Sequence, residues 1–206
     1  MKYVIFDFNG TVVDDVDLSV EAINHTIKKY LKRDPLTKQE YRNIFTFPVK
    51  DYYIAAGFDF DKLDWLEVGQ YWMDYYLSHR KEAPLYEGVK KLLKENHLKG
   101  YKNIIISASR HDLLEEQLKE LDVKDYFDEI LGISDIYATS KLPIALNFIK
   151  DKDPEECVYI GDSGHDVLVA EKMGVRCILV AKGHESKERL LRYNTETVDD
   201  IKEVKI

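Results

Sequence analysis

Cysteine is almost absent from this chain: Cys157 and Cys177 are the two in 206 residues. Each lies in an apolar, strand-like run, so both read as buried free thiols in a reducing compartment, not as a disulfide. No Cys-x-x-Cys pair or zinc spacing occurs, which excludes a dithiol redox centre and a zinc ribbon. Long apolar runs are missing too. No stretch nears the roughly 20 apolar residues of a membrane-spanning helix, and the chain enters its first strand-like run without a charged leader and apolar core. The expectation is a cytoplasmic protein with no membrane partner. Basic charge is in deficit, with 30 Lys+Arg against 38 Asp+Glu and a formal charge of −8. That excludes nucleic acid as a partner for the surface as a whole and leaves room for a local basic pocket for one phosphate. Internal repeats and low-complexity linkers are also lacking, so the chain reads as one large domain, or one domain with a modest insertion, long enough to bury a sizeable core.

What is there begins with Tyr3-Val4-Ile5-Phe6-Asp7-Phe8-Asn9-Gly10-Thr11. An apolar, β-branched and aromatic run ended by Asn-Gly predicts a short strand buried on both faces and stopped by a turn. Asp7 then stands at the strand's carboxyl end, where open α/β sheets bind ligands. A carboxylate there has to be solvated, paired or metal-bound. Taken alone, a turn cap explains it equally well.

After Asp14-Asp15 the period changes. Val16, Val20, Ile23, Ile27 and Tyr30-Leu31 recur at helical spacing, with Lys28, Lys29, Lys32 and Arg33 towards the end, where they suit the helix dipole. Thr37-Lys38-Gln39-Glu40 is a capping box opening a second helix through Phe45. Pro48 suits the first turn of a third helix and Gly57 its stop. A fourth, over 61–79, carries Leu63, Trp65, Leu66, Trp72, Met73, Tyr76 and Leu77. Residues 16–80 thus form an all-helical insert. Beyond Pro84 and Gly88 the pattern predicts helix 87–97, strand 102–107, helix 111–121, strand 129–133, helix 142–150, strand 157–160, helix 165–173 and strand 176–180. From 185 onwards it predicts a helix and a short apolar-tipped tail. Such alternation means right-handed crossovers, hence an α/β fold: a Rossmann-like, mostly parallel sheet with helices on both faces.

The later strands also end in reactive groups. Ile104-Ile105-Ile106 runs into Ser107-Ala108-Ser109-Arg110, a hydroxyl and small residues before a helix N-terminus, suited to an anion; a helix N-cap is the simpler explanation of Ser107 alone. Val158-Tyr159-Ile160 runs into Gly161-Asp162-Ser163-Gly164-His165-Asp166, whose carboxylates are hard ligands suited to Mg²⁺.

In order and spacing, Asp7-Phe8-Asn9-Gly10-Thr11, Ser107, Lys141 and Gly161-Asp162-x-x-x-Asp166 resemble the four motifs of the haloacid dehalogenase superfamily, over essentially the whole chain. The insert resembles the helical cap of its phosphoglycolate phosphatase and β-phosphoglucomutase type. The resemblance implies a core domain from 1–15 and 81–206 and a cap domain from 16–80. It also implies a Mg²⁺-dependent phosphomonoesterase of small phosphorylated metabolites, monomeric or homodimeric. By position, Asp7 would be the nucleophile, and Ser107, Ala108 and Lys141 would meet the phosphoryl oxygens. Asp7, the Asn9 carbonyl and Asp162 would hold the metal, with Asp166 behind it or on a metal-bound water. Thr11 belongs to the nucleophile loop, Arg110 lies near the second motif and His165 within the fourth. From the cap, Arg42 and Lys50 are candidate contacts for a second anionic group, with Tyr52 and Tyr53 as walls.

One residue departs from the family pattern. Its phosphatases carry Asp two positions after the nucleophile as acid and base, and here the residue is Asn9. An amide neither gives nor takes a proton at neutral pH, which removes a contribution of about 10²–10⁴-fold. The expectation is a slow phosphatase or one with good leaving groups. A phosphosugar mutase, a dehalogenase and a non-catalytic phosphate-binding relative are the alternatives.

Overall fold

In the computed structural model, which describes residues 2–134 and 140–206, six strands form one all-parallel sheet. They are β1 (Tyr3–Phe6), β2 (Lys102–Arg110), β3 (Glu129–Ile133), β4 (Cys157–Gly161), β5 (Arg176–Val180) and β6 (Glu196–Val198). Their order is β3-β2-β1-β4-β5-β6, so the sequence direction reverses between β1 and β4. That reversal splays the loops leaving these two central strands and opens a crevice at their carboxyl ends.

The central strands are apolar throughout because both faces are covered. Val4 and Phe6 point to one face, with Ile105, Val158 and Ile160, under Val89 and Leu93 of α5 (Val89–Leu98) and Leu114 and Leu118 of α6 (His111–Glu120). Ile5, Ile104, Ile106 and Tyr159 take the opposite face, against Ala145 and Phe148 of α7 (Leu142–Ile149) and Val169, Ala170 and Met173 of α8 (Gly164–Met173). The two-residue alternation of a pleated strand therefore feeds two separate cores.

Between β1 and α5 run α1 (Val16–Tyr30), α2 (Lys38–Ile44), α3 (Val49–Ala55) and α4 (Trp65–His79). Ile23 and Ile27 of α1, Tyr41 of α2, Tyr52 and Tyr53 of α3 and Val68 of α4 make a core of their own. The Thr37–Glu40 capping box starts α2 as its sequence requires.

Several boundaries differ from the sequence reading. Strand β2 continues past Ser107 to Arg110, with a register shift against β3 between Ile106 and Arg110. The fourth helix begins at Trp65, not 61, because Asp64 caps it by accepting from the Glu67 amide at 2.9 Å. The first helix stops at Tyr30, and Lys32 then takes a left-handed φ of 52°. The tail holds a short α9 (Lys187–Leu190) and a sixth strand that the sequence did not reveal: Glu196-Thr197-Val198 is a half-exposed sheet edge with no apolar run to announce it. Both cysteines are free thiols, Cys157 buried and Cys177 half-buried. Among the described residues no helix is long and apolar enough to cross a membrane.

Gly132 of β3 lets the bulged end of β2 pass over it. A Cβ there would stand 2.7 Å from both the Ser109 carbonyl oxygen and the His111 Cα. Gly132→Ala is expected to cost about 1–3 kcal/mol in chemical denaturation, the range for an overpacked site that cannot relax. An unchanged denaturation midpoint would show that the β2 end is not held by this contact.

Candidate active site

Two strand-end residues, one residue of a helix's first turn and one helix cap meet in the crevice. Asp7 follows β1, and its amide bonds to Ile160 O at 2.9 Å, which continues the β1–β4 ladder one residue beyond the strand. Asp162 follows β4, Asp166 lies in the first turn of α8, and Lys141 caps α7. Ligand oxygens of Asp7, Asp162 and Asp166 all lie within 4.8 Å of one another. Lys141 Nζ donates to Asp7 Oδ1 at 2.5 Å and to Asp166 Oδ1 at 2.6 Å, with only 2% of the residue exposed.

The charge at this point does not balance. Ionised, the three carboxylates exceed the one ammonium by two negative charges. Burial raises Asp7 to about 6 against the pull of Lys141, and burial raises Asp162 well above the carboxylate range despite His184. Burial alone would lower Lys141, but the Asp166 and Asp7 charges carry it well above the ordinary lysine range. Asp166 stays below the usual carboxylate range because Lys141 outweighs its burial. A surplus of buried negative charge on hard oxygen donors fits a small divalent cation. Asp7 and Asp162 have the freer oxygens. Asp166 is fully committed: its second oxygen accepts from the amides of Asp162 and Ser163, each at 3.0 Å, and from Ser163 Oγ at 2.7 Å. In the Asn9 turn the Thr11, Val12 and Val13 amides all bond to the Phe8 carbonyl, so the Asn9 carbonyl is spared.

The bulged end of β2 brings Ser107, Ala108, Ser109 and Arg110 to the same place. Ser107 is 2% exposed, and its Oγ accepts from the Ser109 amide at 3.0 Å. Arg110 lies at the rim, held bidentately by Asp112 at 2.6 and 2.9 Å.

Asn9 is locked from three sides. Its amide group donates to Asp15 Oδ2 at 2.7 Å and to Tyr76 OH at 2.9 Å, and its carbonyl oxygen accepts from Ser109 Oγ at 2.9 Å. Asp15 also accepts from Tyr76 OH at 2.9 Å and from the Gly10 amide at 2.9 Å, and it meets His184 Nε2 at 3.1 Å. His184 Nδ1 reaches Tyr41 OH at 2.8 Å, and the His184 amide donates to Asp162 Oδ2 at 2.6 Å. Burial opposes a charge on His184, yet Asp15 raises it to about 9; His184 in turn outweighs burial and holds Asp15 below its ordinary value. They are a buried ion pair. Gly10 is required in this turn: its φ is +73°, and a Cβ would stand 2.3 Å from Asp162 Oδ2.

The sequence missed Asp15, Ser109, Tyr76 and His184. The doubled acid Asp14-Asp15 directly after the motif was the available signal for the first; His184 lies 169 positions from Asp15 and offered none. Other expectations fall outside the cavity. Thr11 is buried behind Asp162, 3.4 Å from its Oδ1. Arg42 does not reach the site, because its guanidinium donates to the backbone carbonyls of Ala181 at 2.6 Å and Glu185 at 3.1 Å, joining α2 to the loop after β5. Lys50 is exposed, with Nζ 5.4 Å from the centre of the Phe60 ring. His165 stacks on Phe47 at 4.4 Å and lines a neighbouring pocket. Tyr52 and Tyr53 do form walls of the cavity, which measures about 180 Å³ and lies between the strand ends and the helical insert.

Residues 4–180 match the model of the haloacid dehalogenase-like hydrolase family. The chain belongs to that family. Among curated proteins it is similar to a putative pyrophosphatase PpaX of Caldanaerobacter subterraneus, 28% identical over 182 residues, covering 86% of this chain and 80% of the relative. It is also similar to a phosphoglycolate phosphatase of Vibrio vulnificus, 26% identical over 223 residues, covering 97% of this chain and 92% of the relative. Among solved structures, a haloacid dehalogenase-like hydrolase from Streptococcus pneumoniae superposes with a TM-score of 0.79 at 24% identity, over 96% of this chain and 92% of that one, a likeness of fold.

The Asn9 contacts give this haloacid dehalogenase-like chain a distinctive test. Asn9→Asp would set a carboxylate against Asp15 at the present 2.7 Å contact. A loss of about 2 kcal/mol or more is expected in urea denaturation at pH 8. Adding Asp15→Asn should recover at least half of it, a coupling that a double-mutant cycle reads directly. Additive losses would mean that the two side chains do not face each other.

Proposed function

We propose that the chain is a Mg²⁺-dependent phosphomonoesterase that transfers the phosphoryl group of a small phosphorylated metabolite to Asp7. In this reading residues 16–80 are a cap domain over a core of 1–15 and 81–206, in a cytoplasmic monomer or homodimer. The observation that carries it is the meeting of Asp7, Ser107, Lys141 and Asp162 at one crevice on the sheet's carboxyl edge. Relatives named for hydrolysis of pyrophosphate and of phosphoglycolate support phosphoryl chemistry in general.

Phosphoryl transfer to an anionic nucleophile needs concentrated positive charge in a water-poor site. Lys141 supplies part of it beside Asp7. The Ser107 hydroxyl and the amide of Ala108 would bind the equatorial oxygens. Asp7, Asp162 and the Asn9 carbonyl would hold the Mg²⁺, which when bound neutralises the carboxylates and the transferred phosphoryl group. Asp166 positions Lys141 and the loop after β4. The Asp7 carboxylate attacks phosphorus in line, the ester oxygen leaves with its electron pair, and water later hydrolyses the aspartyl-phosphate. Asn9 cannot protonate the leaving oxygen, and both its donor hydrogens already go to Asp15 and Tyr76. Slow turnover with a preference for good leaving groups follows. Asn9 taken alone favours a second reading, a phosphate-binding relative without turnover.

Release of p-nitrophenol from p-nitrophenyl phosphate should require Mg²⁺ and fall by about 10³-fold or more in Asp7→Asn. Independent of turnover, millimolar Mg²⁺ at about 100 times its Kd should raise the Tm by about 5–10 °C. Asp162→Asn should abolish that shift. Phosphate release that survives Asp7→Asn would remove Asp7 from the nucleophile's role, and binding with no release in the wild type would favour the second reading.

A further inference from the structure

The far wall of the cavity is built for a different kind of group from its floor. Around the strand ends the lining is polar. Opposite stand Phe45, Phe47, Tyr52, Tyr53, Trp65 and Trp72, with Trp72 stacked on Tyr76 at 5.1 Å and 14°. Among the described residues the lining includes three cationic groups, and each is engaged: Lys141 by Asp7 and Asp166, His184 by Asp15, Arg110 by Asp112. The two basic residues of the insert nearest in sequence to this wall, Arg42 and Lys50, lie outside it. A second phosphate or a carboxylate would therefore be desolvated against aromatic rings without a counter-charge, which costs several kcal/mol. The rings of Tyr52 and Trp72 line this wall, while the Tyr52 hydroxyl and Trp72 Nε1 are buried away from it.

We propose that this site takes the monophosphate ester of a neutral aromatic alcohol, and not a substrate with a second anionic group. The inference rests on the phosphomonoesterase reading and names its substrate class. It also accounts for Asn9. When the phosphorus–oxygen bond to the ring breaks and the bond to Asp7 Oδ forms, the electron pair leaves on an aryloxide, which needs no proton at that moment and later takes one from water. An alkoxide would need the acid that this chain lacks.

Binding of phosphonates tests this without relying on turnover. In titration calorimetry of the full chain with Mg²⁺, benzylphosphonate should bind about 10-fold or more tightly than phosphonoacetate, the difference expected when a ring meets aromatic walls and a second anion does not. Trp72→Ala, which removes one ring of the wall, should reduce that preference by about 3-fold or more. Equal or tighter binding of phosphonoacetate, or binding of neither phosphonate, overturns the proposal. Ring preference without Mg²⁺-dependent release from p-nitrophenyl phosphate would uphold the binding inference and overturn the hydrolase reading. Release with the preference reversed would do the opposite.

Discussion

The contact between Lys141 and the carboxylates of Asp7 and Asp166 is what the rest of the site depends on. At 2.5 and 2.6 Å, with Lys141 and Asp166 buried and Asp7 open to the cavity, it joins the end of β1 to α7 and α8. Removing one partner from such a group strands a buried charge, which is far costlier than losing a surface pair. The pair also leaves negative charge unbalanced at Asp162 and Asp7. The stability of this corner is therefore coupled to positive charge that reaches the carboxylates, as the Mg²⁺ proposed above would.

Asn9 shows how one exchange reorganises a neighbourhood. A neutral amide two residues after Asp7 can donate twice, and both hydrogens are used to tie Asp15 and Tyr76 into place. The negative charge next to Asn9 is that of Asp15, and His184 balances it. Asp15 is 1% exposed and is met by four donors, so it can stay ionised away from water. The result is a hydrogen-bonded brace between the Asn9 turn, α4 and the loop after β5.

The helical insert uses its basic residues for attachment and its aromatic residues for enclosure. Arg42 spends its guanidinium on two backbone carbonyls of the opposite loop, a fork-shaped donor satisfying acceptors that no strand reaches. Arg189 does the same in return, donating to the carbonyls of Asn43 and Phe45. With cations committed to the seam, the cavity beneath is walled by rings.

The sequence by itself determined the local features. Apolar runs four to five residues long ended by Gly or Asp announce buried parallel strands, as β1 and β4 are, and the reactive groups that follow them had to emerge on one edge because all strands run the same way. Asp7, Ser107 and Asp162 stood out for that reason, whereas Lys141, at the start of α7, was named only through the resemblance to the haloacid dehalogenase motifs. The edge strand β6 was not, since a half-exposed strand of three residues carries no periodic signal. Nor were the destinations of Arg42, Asp15 and His184. A charged side chain looks alike in sequence whether it meets solvent, a carbonyl or a buried partner. Its role is set by which distant segment the packing brings within about 3 Å, a range over which hydrogen bonds act and chain order says nothing.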